Sequence, residues 1–205
     1  MRKELRLLAT GLTIAAVGIA CTRPAPREVQ PTPTRIEEQR IWPTAFLETY
    51  GVAVDHPRDW PVKQTNQSIL IKSPELRRNE GGETTASFIV RDTGRKVVNA
   101  SSARDYAHEF LVGMMHLDAR GGGARITPDD IFQGHNAASV AYATGPLPNV
   151  PGGLTGFKVF VEKDGVILEI GYVCDTAVRR FTEPMLQEIL DSVQFSPDLP
   201  GVKTS

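Results

Sequence analysis

Few residues in this chain combine the types and the spacing that chemistry requires. Among the four histidines, His108 and His116 lie eight residues apart on a predicted helix, too far along its axis to share one metal ion. His56 and His135 fall at a predicted strand end and a predicted turn. We therefore expect all four histidines to be solvated or to lie at the edge of the core. The sequence also lacks the Gly-x-Ser-x-Gly motif that presents a nucleophilic serine.

Two further motifs have both a chemical and a structural explanation. Asp129 and Asp130 could supply half of a carboxylate site for a cation, but after Pro128 they are more typical of a turn or a bulge that enters a strand. The glycine run 121–123 could cradle an anion. Phosphate loops lead from a strand into a helix, whereas this run follows a helix, so we predict that it ends that helix. Neither motif indicates a cofactor, and none is expected.

Cys21 is the residue with the clearest predicted chemistry. Three cations near the N-terminus precede an uncharged run, residues 7–20, which stops at Cys21. These are the parts of a secretory signal, and the run is shorter than the roughly 20 apolar residues that span a membrane. Residues 17–21 resemble a bacterial lipobox, in which the cysteine is lipidated, although Gly18 stands where an aliphatic residue is usual. An ordinary signal peptide that leaves an unmodified cysteine is the alternative.

The composition after Cys21 indicates a tether. Residues 22–40 hold four prolines and seven charges, so they bury too little apolar surface to offset the entropy of ordering. We therefore predict a signal peptide at 1–20 and a lipidated cysteine with a disordered tether at 21–40. The expected location is the bacterial cell envelope, on the outer face of the cytoplasmic membrane or on the outer membrane. The membrane is thus the first expected partner, reached through Cys21.

The charge of the chain argues against nucleic acid as a partner. The sequence has 23 Lys and Arg against 24 Asp and Glu, and removal of residues 1–20 takes away three cations and one anion. The mature chain therefore carries a net charge of -3. Proteins that bind nucleic acid need a basic patch or stripe, which this balance does not supply.

The remaining chain is predicted to form one domain at 41–197 and a loose tail at 198–205. If Cys21 carries lipid, Cys174 has no disulfide partner, and the domain must be held together by its core. Ser102 and Asp105 approximate a capping box at the start of the first helix. The first expected elements are strands at 50–57, 69–72 and 84–91, with a charged loop at 75–83 before the third. A helix follows, from 101 or 102 to 121–123, and then two strands at 126–132 and 137–144 that are joined by a turn at 133–136. A hairpin and a helix that starts at 181–184 complete the domain.

The hairpin is the strongest local prediction. Asp164 and Gly165 are typical of a two-residue type I′ turn, which pairs Lys163 with Val166 and fixes the register of both strands. Cys174 then falls on the apolar face, so we expect it to be buried. The predicted pairs are Phe157 with Tyr172, Val159 with Ile170 and Val161 with Leu168 on that face, and Phe160 with Glu169 and Glu162 with Ile167 on a more mixed face.

A loop rich in proline and glycine, residues 145–156, precedes this hairpin. Long loops without secondary structure are uncommon in compact domains and are often functional. Leu147, Val150 and Leu154 would be partly exposed in it, which suits contact with a protein partner. A flexible crossover between two strands is the alternative.

The two ends of the domain resemble the PsbP-like/Mog1 superfamily. Residues 50–60, Tyr-Gly-Val-Ala-Val-Asp-His-Pro-Arg-Asp-Trp, match its opening motif, with His56 in place of the usual tyrosine. Residues 189–195, Ile-Leu-Asp-Ser-Val-Gln-Phe, match its closing motif, with Val193 in place of an aromatic residue. The resemblance implies an α+β fold in which an antiparallel β-sheet is sandwiched between helices (α/β/α). It implies little about activity, because members range widely in function.

Three functions are compatible with these features. A non-catalytic binding or assembly module, anchored to the membrane and serving an envelope protein partner, accounts for the anchor, the tether and the resemblance. A carrier of a small ligand or lipid, with a pocket between sheet and helix, is the alternative. A hydrolase is the third possibility, although no catalytic constellation is recognisable. We therefore do not expect an enzyme.

Overall fold

The computed structural model describes residues 42–74, 76–79, 82–84, 86–115 and 123–195. Its elements, in chain order, are β1 (Thr44–Leu47), a 3-10 turn (Glu48–Tyr50), β2 (Val52–Asp55), β3 (Val62–Gln64), β4 (Ser68–Lys72), β5 (Leu76–Asn79), β6 (Gly82–Thr84), β7 (Ala86–Lys96), α1 (Ser102–Met115), β8 (Gly123–Phe132), β9 (His135–Ala143), β10 (Leu154–Lys163), β11 (Val166–Asp175), α2 (Arg179–Asp191) and β12 (Gln194–Phe195).

A seven-stranded sheet in the order β3-β4-β7-β11-β10-β9-β8 forms the centre of the fold. Its neighbouring strands are all antiparallel. A smaller sheet in the order β1-β2-β12 and a two-stranded pair of β5 with β6 complete the described strands. This arrangement is the predicted α+β class.

The β10–β11 hairpin has the predicted register at every pair. Asp164 and Gly165 have φ angles of 51° and 78°, the positive values that a type I′ turn requires at both positions. All five predicted face pairs and the Lys163–Val166 pair are present. A second tight turn joins β8 to β9 at Gln133 and Gly134, where φ is 54° and 81°. The four-residue turn predicted there is therefore wrong, because its last two residues, 135–136, already belong to β9.

The two faces of the central sheet are buried against different helices. On one face, Phe88, Leu168 and Ile170 form a core with Leu186 and Ile189 of α2 and with residues of β1 and β2. Cys174 is fully buried in this core, as predicted. On the other face, Phe160, Val140 and Tyr142 pack under Ala103 and Ala107 of α1. The sheet is thus sandwiched between helices, and this prediction is confirmed.

The start of α1 differs from the predicted capping box. The hydroxyl oxygen of Ser102 accepts hydrogen bonds from the backbone of Val98 and Asn99, at 3.0 and 3.1 Å, instead of from the first turn of the helix. A carboxylate oxygen of Glu162, on β10, accepts the backbone N–H of Ala103 at 3.0 Å. The cap comes from a neighbouring strand, which helix-local patterns cannot reveal. The predicted helix end at 121–122 lies outside the described residues.

Helix α2 begins at Arg179, two residues earlier than predicted. Pro184 therefore lies inside the helix rather than in its first turn. Leu186, Ile189 and Leu190 are the buried apolar stripe of this helix. Val193 lies beyond the helix end but is buried in the same core.

Several short strands were not predicted. The segment 75–83, expected to be a charged loop, contributes β5 and part of β6, which pair antiparallel. Strands β1, β3 and β12 also lie where no strand was expected. These strands have between two and four residues, too few to show an alternating pattern.

Candidate interaction surface

The loop between β9 and β10 comprises residues 144–153 and is held at both ends by hydrogen bonds. The backbone N–H of Thr144 donates to the carbonyl oxygen of Leu154 at 2.7 Å, and the N–H of Leu154 donates to the Thr144 hydroxyl at 2.9 Å. Between these ends, Leu147 and Val150 exchange two backbone hydrogen bonds of 3.0 and 3.1 Å. The loop is therefore folded, with hydrogen bonds within it and between its two ends.

The loop is also joined to the segment that leads into α2. The backbone N–H of Thr176 donates to the carbonyl oxygen of Gly153 at 3.0 Å. A Cβ atom added at Gly152 would lie 3.2 Å from a carboxylate oxygen of Asp175 and 3.8 Å from the Cβ of Ala177. The start of α2 consequently lies beside the loop.

The three residues predicted to contact a partner are partly exposed at this end of the sheet. Leu147 and Val150 lie in the loop, whereas Leu154 is the first residue of β10, so its assignment to a loop was wrong. Their contact with a partner stays a prediction.

Phe181, in the first turn of α2, adds a large exposed apolar side chain to the same end of the molecule. Its side chain is 67% exposed, and the guanidinium of Arg180 lies 4.5 Å from the centre of its ring. Aromatic residues and arginine are enriched in the centres of protein interfaces. We call Leu147, Val150, Leu154 and Phe181 together the loop surface.

A buried group of charges lies under the edge of α1. The ammonium of Lys158 is 2.9 Å from one carboxylate oxygen of Glu169, and the guanidinium of Arg91 is 2.6 Å from the other. The side chains of Lys158 and Glu169 are only 7% and 4% exposed, whereas that of Arg91 is 48% exposed. The three groups together carry one excess positive charge.

The burial of these groups shifts their pKa values. Burial raises the pKa of Glu169, but the neighbouring Lys158 and Arg91 lower it by more, so it lies below its ordinary value. Burial lowers the pKa of Lys158 by more than the attraction of Glu169 raises it. The carboxylate is therefore held ionised between its two cationic partners.

The histidines do not form a site in the described part of the chain. His56 is buried, and its ring Nδ1 donates to the carbonyl oxygen of Pro57 at 2.9 Å. His108 is exposed, and His135 packs its ring edge-on against Phe195 at 5.0 Å between ring centres. These positions agree with solvated or core-edge roles, while His116 lies outside the described residues.

Asp129 and Asp130 belong to a β-bulge, as the structural explanation of this pair predicts. The β8–β9 register shifts between Thr127 and Asp130, so Pro128 and Asp129 form the predicted bulge. A carboxylate oxygen of Asp130 accepts the backbone N–H of Ile131 at 2.9 Å. Over the residues that the structure describes, no group of three or more His, Cys, Asp or Glu could hold a metal ion. No helix in that same part is long and apolar enough to cross a membrane.

Sequence reasoning missed Phe181 and the buried charges for different reasons. Phe181 was placed at the start of a helix, but nothing in its neighbours indicates that it is exposed. Lys158 and Glu169 could have been found, because the predicted register makes them diagonal neighbours on one face of the hairpin. Arg91 could not, since its position opposite Glu169 depends on the pairing of β7 with β11, which the sequence does not specify.

Solved structures with a similar fold include two proteins of different origin. The Ran-binding protein Mog1p of Saccharomyces cerevisiae is 12% identical, over 75% of this chain and 95% of that chain, with a TM-score of 0.49. Cyanobacterial PsbP (CyanoP) from Synechocystis sp. PCC 6803 is 9% identical, over 75% of this chain and 92% of that chain, with a TM-score of 0.50. The likeness to CyanoP thus shows the PsbP-like fold that the sequence motifs predicted, and at this identity it concerns the fold alone. The sequence matches no family model and no curated protein.

Proposed function

We propose that this protein is a lipid-anchored, non-catalytic binding or assembly module of the bacterial cell envelope. The observation that carries the binding role is the loop surface. There a hydrogen-bonded loop presents Leu147 and Val150 beside the start of α2, where Phe181 is 67% exposed next to Arg180. A preformed surface of this kind loses little entropy when a partner binds, since its loop is already ordered.

The anchor is supported by the sequence around Cys21. The basic start, the uncharged run and the cysteine have the order of a lipoprotein signal, and the proline-rich segment up to residue 40 would separate the domain from the membrane. At about 3.1 Å per residue for extended chain, that segment reaches up to ~60 Å. The loop surface would then be free to meet a partner in the envelope.

Capture of partners from detergent-solubilised envelopes tests the binding role. The full chain should retain at least one protein that a chain ending at residue 40 does not retain. The double variant Leu147→Ser with Phe181→Ser should reduce that capture at least about fivefold, because a central aromatic anchor contributes much of the binding energy of an interface.

Val98→Ser is the matched control. Val98 is 82% exposed but follows β7, at the opposite end of the sheet. Equal capture by the double variant and the wild type would show that the loop surface is not the binding site. If the full chain retains nothing beyond what the chain ending at residue 40 retains, the binding role itself is wrong.

A further inference from the structure

One half of the central sheet carries no described helix on the side of α1. Helix α1 packs on β8, β9 and β10, and α2 packs on the opposite face. The register places Lys63, Leu70, Ile89 and Gly171 in one row across β3, β4, β7 and β11, on the α1 side. Leu70 and Ile89 belong to neither core and are partly exposed. This half of the sheet is therefore a surface beside α1 that no described helix covers and that has apolar side chains at its centre.

Cationic side chains border this surface. Lys63 and Lys72 are exposed, and within the described part of the chain neither has a carboxylate partner. Arg91 lies on the same side, and with Lys158 it outweighs the charge of the buried Glu169. Val173, opposite Ser87, lies at the border of this surface, is partly exposed, and also packs against the core under α1. We call Lys63, Leu70, Lys72, Ile89, Arg91 and Val173 the open sheet face.

The dimensions of the open sheet face match one α-helix. From β3 to β11 there are three strand spacings, which amount to about 14 Å. A helix with its side chains is about 10–12 Å wide. Along β7, the distance from Ser87 to Arg91 is about 13 Å, or more than two helical turns. The open sheet face is thus wide enough for one helix beside α1, and it is longer than two turns of that helix.

We propose that the open sheet face binds an amphipathic helix of a partner protein whose apolar stripe is flanked by Asp and Glu. The stripe would cover Leu70, Ile89 and Val173, and the acidic flanks would pair with the surrounding cations. A basic or neutral helix would leave Lys63 and Lys72 unpaired in a partly desolvated interface, which is unfavourable. This inference is independent of the lipid anchor and of the loop surface, so either can fail without the other.

Two phage-displayed libraries of 18-residue helical peptides provide the test. Both have the same apolar stripe, but one has Asp and Glu on its flanks and the other has Lys and Arg. The target is the full chain, purified in mild detergent. Only the acid-flanked library should yield binders, and their affinity should fall as the salt concentration rises. An absence of binders, or equal selection from the two libraries, would overturn the proposal.

Charge reversal then locates the binding site. Lys63→Glu with Lys72→Glu should weaken the selected peptides at least about tenfold, whereas Arg125→Glu, which reverses an exposed cation on β8, should not. Ile89→Asp should weaken them as much, with Val112→Asp on the outer side of α1 as its control. If Ile89→Asp does not fold, the lysine pair still decides, because both lysines are exposed. Peptides that bind the lysine variant as tightly as the wild type would contradict the assignment.

A photo-crosslinking residue in place of Ile89 distinguishes a partner helix from the chain itself. A crosslink to the selected peptide supports the proposal. A crosslink that forms within the chain, and that the peptide does not displace, would show that the chain covers this face itself and would overturn the proposal.

Discussion

Glu169 holds two cations beneath α1, and each of its carboxylate oxygens has its own partner. A buried ion pair gains little over apolar packing, but the loss of one partner leaves an uncompensated charge in the interior. Lys158 would be that charge, because its side chain is only 7% exposed, whereas Arg91 can turn toward solvent. The group is therefore most sensitive to the removal of its carboxylate.

We expect Glu169→Gln to lower the free energy of unfolding by about 3–5 kcal/mol, the usual cost of breaking a buried pair. Urea denaturation followed by circular dichroism measures this loss. Glu183→Gln is the control, because its pair with Arg179 is partly exposed and should contribute only about 0.3–0.5 kcal/mol. Similar losses in the two variants would mean that Lys158 is not effectively buried.

The lowered pKa of Glu169 also determines how the stability of the protein depends on pH. The pKa of Glu169 in the folded protein lies below its ordinary value of 4.5, so the unfolded chain takes up a proton first as the pH falls. Its contribution to stability is complete above that ordinary value and is lost as the pH falls through the folded pKa. As the pH falls below 4.5, the free energy of unfolding should therefore fall more steeply for the wild type than for Glu169→Gln. If the free energy of unfolding falls equally steeply with pH in the two proteins, Glu169 does not have this role in acid stability.

At the scale of the elements, the contact between β10 and β11 leaves no space for a side chain at Gly171. Gly171 has a φ of +154°, and an added Cβ would overlap the carbonyl oxygen of Phe157 and lie 2.8 Å from the Cα of Lys158. Both are backbone atoms, so relief requires the two strands to move apart. Their hairpin lies at the centre of the sheet, where such movement disturbs both cores.

We expect Gly171→Ala to reduce the free energy of unfolding by about 2–3 kcal/mol through this overlap. Gly113→Ala is the contrasting variant, since a Cβ there meets nothing within 4 Å. Gly113 lies in the last described turn of α1, where replacing glycine by alanine should increase stability by about 0.5 kcal/mol. Thermal unfolding measures both variants, and a loss at Gly113 or no loss at Gly171 would contradict the packing described.

The elements that could be predicted from the sequence are those defined by local rules. A two-residue Asp-Gly turn fixes its own register, so every pair of the β10–β11 hairpin was correct. Apolar periodicity identified both helices, but not the residue where α2 begins. The cap of α1 by Glu162, the pairing of β7 with β11 and the exposure of Phe181 depend on residues distant in sequence. These features arise only when the sheet is assembled, and they include most of the candidate surfaces.

At the scale of the whole molecule, the two proposed interaction surfaces are centred on different parts of the sheet, although Leu154 and Val173 are neighbours on one face of the β10–β11 pair. The loop surface lies at the end of the sheet where β9 and β11 finish, whereas the open sheet face lies on β3, β4, β7 and β11 beside α1. One module with two surfaces could join two partners, which suits a role in assembly. Attachment to a membrane would restrict both encounters to the envelope and raise the effective concentration of the partners.

The attachment itself is predicted to depend on Cys21 alone. With a net charge of -3 after removal of residues 1–20, the overall charge of the chain does not favour adsorption to anionic lipid, so we expect acyl chains to hold it. Two or more chains, each stabilised by about 0.8 kcal/mol per buried CH₂ group, give stable attachment. Cys21→Ser should therefore move the protein from the membrane fraction to the soluble fraction, as measured by fractionation and immunoblotting.

Cys174→Ala is the control for this experiment, because it removes the other cysteine from a position that is fully buried in the core. It should leave the protein in the membrane fraction even if it lowers stability, since it does not touch the anchor. Mass spectrometry of the N-terminal peptide should show acyl chains in the wild type and in Cys174→Ala, and none in Cys21→Ser. If Cys21→Ser stays with the membrane after a high-salt wash and the wild-type N-terminal peptide carries no acyl chains, an uncleaved apolar run or a tightly held partner retains the protein, and the lipid anchor is wrong.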